Sequence, residues 1–438
     1  MTIYIDCTDF FRGDGNTGIR RTERNVIINM LSICTDRAIP CQMAYYDPFY
    51  GFIIAADSSK GISYFTSISL ATRQFLRLKN LFKKVFLFLS PTFIDRVWGE
   101  YTRLLILPIF LPASIPIILI ANLVTHLSPK NIWKPSSKDI LFIPGSSWWS
   151  AFYSNAVAET KNNNAKIVTI IYDLIPITHR NFVTKVHEKN FSSKIDFALA
   201  SSDLILSISH DTAKVIEQYI SDHPDIHKKD IVAFKLGADL DLISDSLKTR
   251  EYLHKLFEKN TVYISVGTIE PRKNYNFLLD AFECIWQTHP DLKLCIIGKY
   301  GWESDATIAR IKSHPMFGSS LIWFQDLSDN ELSFCYKNAK ALIFPSMTEG
   351  FGLPLVEALS FKCPVLASDI PVFHEIGGNY CSYFSLTNKD ELVSLIHKSS
   401  QVVSCENTEN FSWPTWKECT AEILNIIETN VINSNLVK

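Results

Sequence analysis

The stretch Ala341–Gly378, ALIFPSMTEGFGLPLVEALSFKCPVLASDIPVFHEIGG, constrains the fold more than any other part of the chain. Ala341–Phe344 is a short apolar run of strand type, and Pro345, Ser346 and Glu349-Gly350-Phe351-Gly352 supply loop chemistry. Pro354 suits a first helical position, because its ring presets φ and its missing N–H would be an orphan there anyway. A helix is expected from about Leu353 to Phe361, before Pro364 bars its continuation, and Val365–Ser368 reads as the next strand. This is a βαβ unit with a glycine-containing loop at the strand's C-terminal end. Two glycines let the backbone approach a ligand, and the helix start offers free N–H groups and a positive dipole end to a phosphate.

Two carboxylates frame that loop. Glu349 sits within it and Glu357 follows eight residues on, in the early helix, so both are expected to face the crevice above the strand ends. Carboxylate oxygens accept hydrogen bonds from the neighbouring hydroxyls of a sugar. The bland alternative is a plain turn followed by a helix-start glutamate favoured by the dipole.

The chain has 438 residues, enough for two domains with full cores. A net charge of −2 excludes nucleic-acid binding by the whole chain on electrostatic grounds. Ten cysteines are scattered without CxxC or Cys/His ligand spacing, as buried thiols of a reducing compartment would be. The N-terminus opens on a strand, Ile3-Tyr4-Ile5, without the pattern of a signal peptide, and the expected location is the cytoplasm.

In chain order, Ile3–Cys7 reads as a strand, FFRGDGNTGIRR as a loop and Glu23–Ile33 as a helix with Val26, Ile27, Met30 and Leu31 on one face. From Ile140 onward strands alternate with helical patterns: LFIPG, Lys166–Tyr172, Leu204–Ser207 and Ile231–Leu236, then Thr261–Val266, Leu294–Gly298 and Trp323–Asp326. Such alternation signals parallel, doubly wound sheets. Ser209 or Asp211 can cap the helix after Leu204–Ser207. Gly267-Thr268-Ile269-Glu270-Pro271-Arg272-Lys273-Asn274 brings two cations to a strand end, either as a clamp for a diphosphate or as a solvated basic turn.

PSMTEGFGLPLVEAL and GTIEPRKN resemble the donor-site segments of retaining glycosyltransferases of family 4, which have the two-domain GT-B fold. YDLIP, SISHDTAKVI and LGAD resemble other strand ends of that family, and DCT with TGIRR resembles its first strand and loop. The resemblance implies two doubly wound, Rossmann-like domains facing a cleft. Residues 1–245 would bind the acceptor, 246–410 the sugar nucleotide, and 411–438 would form a terminal helix crossing back. It implies that Glu357 holds the nucleotide ribose, and that Glu349 with the backbone of Gly350, Phe351, Gly352 and Leu353 holds the donor sugar. Lys273 would stabilise the leaving diphosphate beside Gly267 and Thr268. Many relatives carry Arg at the place of Thr268, and Arg272 is expected to supply that charge here. On the acceptor side the expected residues are Gly18, Arg20, Asp173 and His210, with Arg21 available to a phosphate and His179 a further candidate. Relatives often have His where this chain has Tyr172, so no histidine role transfers there.

These motifs look most like mannosyl-transferring relatives that build bacterial surface polysaccharides, including O-antigen. The resemblance therefore implies GDP-mannose as donor, a dTDP- or UDP-sugar as runner-up, retention of configuration, and a glycan or lipid-linked acceptor. No DxD-type pair falls in the cleft, so no metal is expected. The rivals are a sugar-nucleotide epimerase or hydrolase of the same architecture, and a non-catalytic membrane-surface scaffold.

Residues 60–130 are unlike the rest. Lys60–Arg103 carries eight basic residues against Asp95 and Glu100, and Leu104–Pro129 has no charged residue at all. That apolar run is long enough to span a bilayer, but Pro108, Pro112, Pro116, Asn122 and His126 argue against a simple spanning helix. A peripheral contact with the inner face of the cell membrane through 73–127 is expected, against an insertion packed wholly within the first domain.

Overall fold

Runs that are apolar at nearly every position hold together only when both faces are covered, and a parallel sheet flanked by helices does that. The structure, a computed structural model, describes residues 1–12, 18–47, 51–55, 131–149, 153–240, 249–402 and 408–432. The chain divides into two compact units. The first is Met1–Arg20 with Ile39–Ala165, and the second is Arg21–Ala38 with Lys166–Lys438.

In the first unit, β1 (Thr2–Asp6), β2 (Cys41–Asp47), β3 (Gly51–Ile54) and β4 (Asp139–Ile143) lie in the order β3-β2-β1-β4. β1 runs parallel to β2 and β4, and β3 is antiparallel to β2. Asp6 is fully buried at the end of β1, where it accepts hydrogen bonds from Thr8 N (2.9 Å) and Tyr153 Oη. Burial pushes its carboxyl up, and those donors partly offset the shift. The Thr8 hydroxyl donates to Asp6 Oδ1 and accepts from Tyr46 N (2.8 Å), so one turn ties β1 to β2.

That turn corrects an expectation. Thr8–Arg12 is helical, and a second helix runs over Gly18–Asp36, so much of the segment read as loop is helix. The second helix is longer than Glu23–Ile33 because its buried face extends from Thr22 to Cys34. Asn25 and Asn29 also donate back to the carbonyls of Arg21 and Asn25.

The second unit holds β5 (Lys166–Ile171), β6 (Leu204–Ser207) and β7 (Asp230–Ala233), paired in parallel. It also holds β8 (Val262–Val266), β9 (Lys293–Ile297), β10 (Leu321–Phe324), β11 (Ala341–Phe344), β12 (Val365–Ser368) and β13 (Cys381–Phe384). These six lie in the order β10-β9-β8-β11-β12-β13, parallel throughout. Helices such as Tyr275–Thr288 and Leu353–Ser360 connect them, and Leu278, Phe282 and Ile285 pack onto the sheet. β10 begins and ends two residues earlier than the expected Trp323–Asp326, because all of Leu321–Phe324 pairs with Leu294–Ile297 of β9.

Cys41, Cys284 and Cys381 are only half-buried, not enclosed as expected, whereas Cys7, Cys34, Cys295, Cys335, Cys363 and Cys419 are buried. Among the described residues no helix is long and apolar enough to cross a membrane. The basic and apolar segment 73–127 lies outside the described residues.

Candidate functional site

The order β10-β9-β8-β11-β12-β13 changes direction between β8 and β11. Open α/β sheets bind ligands in the crevice beyond the carboxyl ends of the strands at such a switch. The two loops leaving β8 and β11 carry the glycines and charged residues singled out in the sequence. They are tied together by Met347 N donating to Arg272 O (2.8 Å).

Glu349 lies at the centre, its side chain 7% exposed. Arg272 Nη1 lies 2.5 Å from Glu349 Oε2, Lys273 Nζ pairs with Oε1, and Ser346 Oγ donates to Oε1 (2.7 Å). Burial alone would raise the Glu349 carboxyl, but Arg272 and then Lys273 outweigh it and hold it at about 2. Arg272 also donates to Thr348 O (3.2 Å), and its Nε lies 2.6 Å from Glu270 Oε1 as an ion pair without hydrogen-bond geometry. Lys273 is buried, 5.0 Å from the centre of the Phe344 ring. Its ammonium is pulled down by burial and by Arg272, with Glu349 opposing. Gly267 beside it has φ +153, and its carbonyl accepts from Tyr275 Oη (2.7 Å). Thr268 is exposed.

Eight residues after Glu349, Glu357 points from the helix Leu353–Ser360 and is 3% exposed. Arg21 Nη1 lies 2.5 Å from its Oε1, and Tyr336 Oη donates to its Oε2 (2.9 Å). Arg21 Nη2 also donates to Asp239 O (3.1 Å). Gly352 caps the helix at φ +114, a conformation costly for any side chain, and Phe351 is buried beside it. Leu353 and Pro354 form the helix start, Pro354 at the second position and not the first.

Of the acceptor-side candidates, Asp173 follows β5, accepts from Ile175 N (3.1 Å), and is pushed up by burial against the pull of Arg272. His210 is exposed at the start of the helix His210–Asp222, and its backbone N–H donates to Glu375 Oε1 (2.7 Å). Ser209, not Asp211, caps that helix by accepting from Thr212 N (3.0 Å). His179 is exposed and bonds Thr178. Gly18 and Arg20 lie in the first turn of their helix, in the first unit. Second-unit residues at this site that the sequence did not single out are Tyr336, Thr212 and Glu375. None carries a local signal: each matters through a partner distant in sequence or through a loop shape. Among the described residues no group of three or more His, Cys, Asp or Glu side chains is arranged to hold a metal.

Residues 251–411 match the family model described as Glycosyl transferases group 1. The serotype-specific mannosyltransferase WbdA of Escherichia coli is 31% identical over 265 residues, covering 58% of this chain and 32% of that protein. This chain thus spans about a third of the length of WbdA. O-antigen chain mannosyltransferase B of Escherichia coli is 26% identical over 274 residues, covering 59% of this chain and 69% of that protein. Anabaena HepE, solved in complex with UDP and glucose, is 13% identical with a TM-score of 0.52, covering 100% of this chain and 99% of that one, a likeness of fold.

Proposed function

We propose that this protein, whose residues 251–411 match the group 1 glycosyl transferase model within a GT-B fold of two parallel-sheet α/β domains, transfers a mannosyl residue from GDP-mannose to a glycan or lipid-linked acceptor. Configuration is retained and no metal ion is needed. The sugar nucleotide belongs to 246–410 and the acceptor to 1–245. The acceptor is presented at an anionic membrane surface, contacted through 73–127.

One observation carries this: a buried carboxylate, Glu349, shared between two cations at the sheet's switch point. A nucleotide diphosphate is a stronger partner for Arg272 and Lys273 than one carboxylate, since phosphate oxygens take paired charge-assisted hydrogen bonds. As the cations turn to the diphosphate, Glu349 is released to accept hydroxyls of the sugar. Lys273, Arg272 and the helix start after Gly352 then face charge that grows on the leaving diphosphate in the transition state. Glu357 accepts from the ribose. The names of the two Escherichia coli relatives support mannose as the sugar.

The test is turnover by the purified chain of GDP-mannose, UDP-glucose and dTDP-sugars, with a polyprenyl-linked glycan as acceptor. Mannosyl transfer from GDP-mannose that survives EDTA is expected. Turnover of only a UDP- or dTDP-sugar would overturn the donor. Loss in EDTA restored by Mg²⁺ would overturn the metal-free mechanism. Free sugar released in the absence of acceptor would favour the hydrolase alternative.

A further inference from the structure

The loop that carries Glu349 is pinned on both sides of that residue, by unrelated parts of the second unit. On the N-terminal side Arg272 holds it, through Met347 N and Thr348 O. On the C-terminal side the Gly350 carbonyl accepts from Ser209 Oγ (2.8 Å) and from Thr212 Oγ1 (3.1 Å), all three residues buried. The backbone itself is seated there: a Cβ on Gly350 would lie 2.5 Å from Tyr172 O.

Those two hydroxyls come from the start of the helix His210–Asp222, and that start is itself held. Glu375, from the helix Pro371–Gly377, accepts from His210 N (2.7 Å) and Asp211 N (2.8 Å) with its two oxygens. Ser209 satisfies Thr212 N, so the first donors of the helix, normally orphans, are taken up by side chains. A negative carboxylate also suits the positive end of the helix dipole. The chain of contacts runs from Glu375 through the helix start to Gly350, the residue next to Glu349.

We propose that Ser209, Thr212 and Glu375 are positioning residues that hold the Glu349 loop in its working geometry. They touch the loop's backbone and leave the Glu349 side chain to the cations and the sugar. This rests on Glu349 being the carboxylate that meets the donor sugar. Fixing the Gly350 carbonyl fixes the peptide plane after Glu349, and a reacting group misplaced by about 1 Å can cost on the order of 100-fold in rate.

The variants are Thr212→Val, which removes a hydroxyl, and Ser209→Gly, which removes the other while glycine still serves as an N-cap. Thr212→Ser keeps the hydroxyl and is the rescue control. The first readout is hydrogen–deuterium exchange of peptides spanning 346–353 in the ligand-free full chain. The double variant should exchange there about tenfold faster, with distant peptides and Tm near wild type, and Thr212→Ser should match wild type. The second readout is mannosyl transfer, where kcat should fall about tenfold with KM for GDP-mannose within about twofold. Unchanged exchange over 346–353 would overturn the proposal, as would faster exchange throughout the chain with a lowered Tm, since the hydroxyls would then be ordinary structural contacts. Faster loop exchange in a protein whose wild type turns over no GDP-mannose would keep the clamp and overturn the donor assignment instead.

Discussion

Glu349 is a carboxylate that burial would push toward neutrality and that Arg272 and Lys273 hold at about 2. A carboxyl lowered in the folded state stabilises it above the ordinary range, and that stability is lost as pH falls from about 4.5 toward about 2. In Glu349→Gln, Arg272 and Lys273 lose a buried partner, and breaking a buried pair costs about 3–5 kcal/mol. Thermal melts should therefore show a lower Tm for the variant at pH 7 and a gap that narrows below about pH 4.5; a gap independent of pH would contradict the pairing. Catalysis divides the neighbouring residues. Lys273→Ala should lower kcat/KM by about 100-fold or more, and Arg272→Ala should also be damaging, through lost stabilisation of the leaving group. Glu357→Ala should act on affinity, weakening GDP binding by about 1.5–3 kcal/mol in titration calorimetry, the usual worth of a hydrogen bond to a charged group.

Elements, more than single side chains, set the loop geometry. The connection from β11 to the helix Leu353–Ser360 closes only because Gly352 adopts φ +114, and a Cβ there would also meet the Phe373 ring at 2.9 Å. Gly352→Ala should cost about 1–3 kcal/mol in chemical denaturation, with transfer activity falling too as Glu357 shifts with the helix start. The helix Trp416–Ile427 is defined by a reciprocal cap: Thr415 Oγ1 accepts from Glu418 N (3.2 Å), and Glu418 Oε2 accepts from Thr415 N (2.8 Å). Beyond the cap, Trp416 N donates to Asp239 Oδ1 and Trp413 Nε1 to Leu236 O (2.7 Å), anchoring this end of the chain beside β7. Thr415→Ala should lower stability by about 1 kcal/mol without altering GDP binding; a large loss of binding would mean that the helix acts on the donor site directly.

For the whole molecule, the proposed acceptor places a constraint on residues 73–127. Basic side chains near an anionic surface are worth about 1 kcal/mol each, and the attraction fades within a Debye length. The full chain should co-sediment with anionic liposomes and be released by high salt. Reversing Arg77, Lys83 and Lys84 to Glu should weaken that binding with GDP affinity unchanged. Equal sedimentation of both proteins would leave the segment without a membrane role. From Asp139 to Ser368 the order of strands was legible in the sequence, since buried strands, proline-led helix starts and glycine turns are written in runs of a few residues, whereas Cys41–Asp47, Gly51–Ile54 and Cys381–Phe384 were not read as strands. Ala341–Phe344 and Val365–Ser368 appear at the residues where the pattern places them. Glu349, Glu357, Arg272 and Lys273 were singled out because their segments resemble a family's donor site, and the structure brings Glu349, Arg272 and Lys273 into contact. Tertiary structure decided what those groups hold in the folded chain. Arg21 meets Glu357 across 336 residues and Ser209 meets Gly350 across 141, and no local pattern announces either. Apolar periodicity reports which face of an element is buried, whereas the partner of a buried charge is chosen by which strand ends the sheet order brings together.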